Sequence, residues 1–122
     1  MARISQNEAK KLYQNFLDTK AAAMDKIVGK EDANAIWFEI KDLEDFLSYA
    51  KREANNQKET VNGIRVYLGS YDTTHENKDL AGRTTIFLSA TIAGTENLGN
   101  ALDLNADAFN MGSIILPPKR IY

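Results

Sequence analysis

The chain has 122 residues, of which 43% are hydrophobic and 26% charged, with a formal net charge of −2. That length is about one globular domain, residues 1–122, and those fractions exclude general disorder. Fifteen Lys and Arg scattered against 17 Asp and Glu leave no basic footprint for nucleic acid or an anionic membrane, and the lack of cysteine excludes disulfides, thiol catalysis and thiolate metal sites.

The N-terminus enters a charged helix at once and is no secretory signal. The longest apolar runs fall far short of a membrane span, so the expected address is the cytoplasm. Ser5-Gln6-Asn7-Glu8 fits the capping-box pattern, with Ile4 at the staple position. Apolar residues recur at Ala9, Leu12, Tyr13, Phe16, Leu17, Ala21, Met24 and Ile27/Val28, helical spacing for one buried stripe that stops at Gly29. Residues 35–40, Ala-Ile-Trp-Phe-Glu-Ile, are rich in β-formers and predict a short strand. Asp42 then caps a second helix, with Leu43, Phe46, Leu47, Ala50 and Ala54 as its apolar side and residues 55–59 as its end.

Residues 61–69 read as a second strand. A strand, an amphipathic helix and a strand between residues 35 and 69 predict a β-α-β unit with a right-handed crossover and a parallel pair. A polar loop spans residues 70–83, and the third strand spans residues 84–92; its pairing with the second strand as a long-looped hairpin is left open. Beyond Gly94 the chain reads mostly as loop, with a helical turn near residues 107–111 and a last short strand at residues 113–116 before Pro117-Pro118. The expected fold is α+β: a helix–strand–helix–strand–strand core, two helices on one face of a small mixed sheet, and a loop-rich C-terminal segment.

Alternation then separates two faces. Ile36, Phe38 and Ile40, then Ile64, Val66 and Leu68, then Ile86, Leu88, Ala90 and Ile92 form aliphatic sets expected to meet both helices. The opposite sets are Trp37 and Glu39, then Arg65, Tyr67 and Gly69, then Thr85, Phe87, Ser89 and Thr91. That mixture is neither a solvent face nor a second core, and aromatic rings beside an Arg–Glu pair suit an interface or a pocket. Cover by the chain's own C-terminal segment and simple cross-strand pairing are the plainer readings.

Catalytic and metal motifs fail in turn. His75 is the sole histidine, set among Asp72, Glu76 and Asp79 without a nucleophile elbow, and a lone His in a polar loop is usually solvated. Asp103-Leu104-Asn105-Ala106-Asp107 starts a calcium loop but places Ala108 where Gly is needed and Ile114 where the bidentate Glu is needed. Gly94 and Gly99 have phosphate-loop spacing without the following Lys and Ser/Thr. No cofactor and no metal are expected.

Three stretches carry a family likeness: Ile36-Trp37-Phe38-Glu39-Ile40 with Asp42-Leu43, Gly63 to Tyr71, and Thr84 to Leu88. Over residues 35–90 the chain resembles small cytosolic proteins of unknown function from Bacteroidetes-type bacteria. The resemblance implies a bacterial cytosolic protein and carries no activity. The residues themselves point to a non-enzymatic interaction or accessory domain, a homodimer or a binder of a protein partner, acting through Trp37, Arg65, Tyr67 and Phe87. The alternative is a small-molecule-binding or enzymatic domain with a pocket between that face, the 70–83 loop and the C-terminal segment. Candidate binding residues are Trp37, Glu39, Arg65, Tyr67, Phe87 and His75.

Overall fold

A computed structural model describes residues 2–93, 101–110 and 113–115. They fall into two compact units. One takes the described residues of Met1–Ala35, Tyr71–Thr84 and Ile114–Tyr122, and the other those of Ile36–Ser70 and Thr85–Ser113. Among the described residues no helix is long and apolar enough to cross a membrane.

The first unit begins with α1 (Gln6–Phe16), a π-helical turn (Leu17–Ala21) and α2 (Ala22–Val28). The capping box forms as expected. The Glu8 N–H donates to Ser5 Oγ at 3.1 Å, and the Ser5 N–H donates to Glu8 Oε2 at 3.3 Å. Gly29 ends α2 in the left-handed region, φ 84°, a position that a Cβ would strain. Beyond it, Asp32 is buried and fastens the loop that follows the second strand. Its Oδ1 accepts from the Thr84 N–H at 2.6 Å, and its Oδ2 from the Thr84 hydroxyl at 2.5 Å. Arg83 Nε and Lys30 Nζ add bonds to the carbonyls of Glu31 and Lys78. A buried carboxylate is tolerable here because it is hydrogen-bonded on both oxygens.

The second unit packs α3 (Ile40–Asn56) on an antiparallel sheet of β2 (Val61–Ser70), β3 (Thr84–Ala93) and β4 (Ala101–Asp103), in the order β2-β3-β4. The fold class is α+β. β1 (Ala35–Trp37) pairs with β5 (Ser113–Ile115) in a separate two-stranded sheet. The expected β-α-β unit with a parallel pair is therefore not made, since β1 and β2 lie in different sheets, and the three-stranded sheet is antiparallel rather than mixed. Periodicity fixes where a strand lies but not which strand it pairs with.

Several boundaries move for local reasons. The chain turns helical at Ile40, so the first strand is half its expected length. Glu39 is the N-cap, without a side-chain cap bond, and Asp42 sits in the first turn rather than at the cap. An acid there still complements the helix dipole. α3 closes through a reverse turn in which the Glu59 N–H reaches the Ala54 carbonyl and Lys58 adopts φ 60°. The described part of the expected helical turn at residues 107–111 is extended instead, because Phe109 and Leu88 exchange both backbone hydrogen bonds, at 2.8 and 2.9 Å. β4 has no counterpart in the sequence reading, and Met111 and Leu116 lie outside the described residues.

The buried cluster is Phe46, Ala50 and Ala54 of α3 against Leu88 and Ala90 of β3 and Leu104, with Ile86, Ile92, Phe38 and Phe109 packed around it. It contains no residue of α1 or α2, in which nothing is fully buried, so only one of the two expected helices supplies this core. Ile64, Val66 and Leu68 are also missing from it, although alternation assigns them to the same face. A single helix about 10–12 Å wide covers roughly two strands spaced about 4.8 Å apart. Here β3 supplies Leu88 and Ala90 to the cluster, whereas β2 supplies only Val61 at its margin.

Candidate functional site

β2 is the strand on which the expected site residues sit, and its two sides are inverted relative to expectation. Burial alternates strictly along its ten residues: Arg65, Tyr67 and Gly69 are half-buried, while Ile64, Val66 and Leu68 are 38%, 57% and 82% exposed. On the half-buried side Tyr67 stacks on Phe87 of β3 with centroids 4.9 Å apart. Thr85 and Thr91, also on that side, are buried. Gly63 keeps the strands in contact there, because a Cβ at that position would lie 3.2 Å from Thr91 Oγ1.

Arg65 finds its partner on β4, not on the residue the sequence suggested. Asp103 Oδ1 accepts from Arg65 at 2.7 Å, and Asp103 Oδ2 accepts a short hydrogen bond from the Tyr67 hydroxyl. The hydrogen bond to the Tyr67 hydroxyl, followed by the charge of Asp103, holds the Arg65 pKa above its ordinary value despite partial desolvation. The guanidinium also lies 6.0 Å from the Tyr67 ring centroid. Arg65 and Asp103 stay 38% and 39% exposed, so solvent screens the pair. Chemically this is a self-satisfied aromatic–ionic cluster whose polar atoms are already engaged.

Of the six expected site residues, Arg65, Tyr67 and Phe87 come together. Trp37 does not join them, since it belongs to the β1–β5 sheet, where it is 56% exposed. Glu39 is the residue at which α3 begins, so the expected Glu39–Arg65 pair is replaced by Asp103–Arg65. His75 is in the loop of the first unit, where its Nδ1 accepts the Asn77 N–H at 3.0 Å and its ring meets the edge of Tyr71 at 5.3 Å. That is a loop-stabilising arrangement. Among the described residues no three His, Cys, Asp or Glu side chains converge on a metal position, and in the Asp103–Asp107 run the Asp103 carboxylate is engaged by Arg65 and Tyr67.

Sequence reasoning missed Asp103 as the partner of Arg65, and it missed the exposed row of β2. No signal for the first existed, because residues 65 and 103 are joined only by sheet order. The second was visible as an uncharged run of side chains, Asn62, Ile64, Val66, Leu68 and Ser70, but its exposure depends on where α3 lies. No protein-family model matches the chain, no curated protein matches it, and no solved structure matches it.

Proposed function

We propose that this chain is a protein-interaction module that self-associates by laying β2 against β2 of a second copy. The observation that carries the reading is the row Ile64, Val66 and Leu68, exposed along a ten-residue strand that ends its sheet. No described strand pairs with the outer edge of β2. Such an edge offers backbone donors and acceptors to any extended chain, and sheets usually guard it with Lys, Pro, a bulge or brevity. β2 has no Lys and no Pro and is long.

The chemistry of the row favours a second copy. A two-fold interface brings each patch onto itself, so a charged row would repel its own image, whereas Asn62, Ile64, Val66, Leu68 and Ser70 carry no charge. Full burial of an aliphatic side chain contributes about 1.5–3 kcal/mol. Burying part of what remains exposed of Ile64, Val66 and Leu68 in each copy, together with the backbone bonds of two joined sheets, works against the roughly 4–15 kcal/mol cost of association. The half-buried Arg65–Tyr67–Asp103 cluster then serves to stiffen β2 from behind.

Sedimentation equilibrium over a wide concentration range tests this. The chain is expected to sediment as a dimer, and Val66→Lys or Leu68→Lys is expected to give a folded monomer whose unfolding midpoint no longer depends on concentration. A monomer throughout, or a dimer that survives both substitutions, overturns the reading.

A further inference from the structure

On β3 the Leu88 N–H donates to the Phe109 carbonyl and the Leu88 carbonyl accepts from Phe109, while the Ala90 carbonyl accepts from the Leu104 N–H. Leu88 and Ala90 therefore turn their backbone groups away from β2. These groups alternate along a strand, so Phe87, Ser89 and Thr91 turn theirs toward β2. Phe87 stacks on Tyr67, and a Cβ at Gly63 or Gly69 would meet Thr91 or Thr85, three contacts of one antiparallel register. Residues directly opposite share the direction of their hydrogen bonds. Arg65 and Tyr67 thus give their backbone to β3, whereas Ile64, Val66 and Leu68 point both N–H and carbonyl at the outer edge. The residues with exposed aliphatic side chains are also those whose backbone meets a newcomer.

That coincidence restricts how β2 lies against β2 of a second copy. A two-fold axis along the strands gives a parallel pair with the aliphatic rows on opposite faces, whereas an axis normal to the sheet gives an antiparallel pair with both rows on the face of α3. In the antiparallel pair each outward residue must meet another outward one, so the axis passes through a residue and not between two. Centred on Arg65, the pair sets Arg65 against Arg65 at the closer, non-hydrogen-bonded kind of position, where like charges are destabilising, and Leu68 against Asn62. Centred on Tyr67, it sets Ile64 against Ser70. Registers further along leave more of the row against polar residues. Centred on Val66, it sets Val66 against Val66 and Ile64 against Leu68, with Arg65 opposite Tyr67. Only this register matches the aliphatic row with itself.

We propose that the two-fold axis of the dimer passes through Val66, joining the two three-stranded sheets into one antiparallel sheet with Ile64 of each copy beside Leu68 of the other. This rests on the self-association reading, and its test separates the two. Equal parts of isotope-labelled and unlabelled chain are mixed, shown by sedimentation to be dimeric, and read by NMR for contacts between labelled and unlabelled copies. Opposed residues of the non-hydrogen-bonded kind bring their Hα atoms together, so a contact between Arg65 Hα and Tyr67 Hα of the two copies is expected. Charge exchange gives a second readout. Ile64→Glu mixed with Leu68→Lys is expected to form a mixed dimer about threefold or more tighter than either variant alone, and Ile64→Glu mixed with Val66→Lys is not. A chain that sediments as a monomer overturns both readings. A dimer with an Arg65–Arg65 or Tyr67–Tyr67 Hα contact, or one in which Ile64→Glu and Leu68→Lys fail to favour each other, overturns the register and leaves pairing through β2 standing.

Discussion

β2 and β3 are neighbours of equal length, ten residues each, and both alternate aliphatic with polar or aromatic side chains. Leu88 and Ala90 of β3 are buried under α3, whereas Val66 and Leu68, assigned by alternation to the same face, stand in solvent. The two strands differ in coverage, not in pattern. A period of two assigns a residue to a face, but burial of that face requires a second layer wide enough to reach it. One helix does not cover three strands, and the row of β2 is left for a further layer or a partner.

The comparison breaks most readily at Leu88. Leu88→Ala should lower the stability of the second unit by about 2–5 kcal/mol in urea unfolding, since it empties a packed site. If it costs no more than Val66→Ala, the two strands are energetically alike and the contrast fails. Next in size is the far side of β2. Gly63→Val places methyl groups where even a Cβ meets Thr91 Oγ1 at 3.2 Å, and overpacking of this kind costs about 1–3 kcal/mol, read as a shift in the urea midpoint.

Val66→Lys should abolish self-association while leaving stability within about 0.5 kcal/mol of the wild type diluted to its monomer, a comparison made by unfolding and sedimentation at matched concentrations. A large loss of stability would mean that Val66 is part of the monomer's core. The smallest effect concerns pH. A base whose folded pKa is raised contributes stability that is fully present below its unfolded value and is lost only as pH rises through the folded one. Arg65 is such a base, raised chiefly by the Tyr67 hydroxyl. The difference in unfolding midpoint between the wild type and Arg65→Met should therefore stay flat from about pH 6 to about pH 9. A difference that changes across that window would assign the coupling to another group.

Local features were legible in the sequence wherever their cause is local. The Ser5–Glu8 capping box, the stop at Gly29, the stripe of α3 and the two long strands each depend on residues within a few positions of one another. The pairing of Arg65 with Tyr67 and Phe87 was likewise readable, because strand alternation and adjacency put them on one face. Trp37 and Glu39 were misassigned to that face since nothing near them tells which sheet β1 joins.

By itself, then, the sequence determined the capping box and the stop of the first helical stretch, the stripe of α3 and the two long strands, with the side of those strands on which each residue falls. Tertiary structure alone decided that β1 leaves the main sheet, that Asp103 rather than Glu39 meets Arg65, and that α3 buries Leu88 and Ala90 of β3 but not the row of β2. The division has one physical cause. Backbone sterics and hydrogen bonding act over a few residues, whereas burial depends on the width and placement of a neighbouring layer whose position no short stretch of chain encodes.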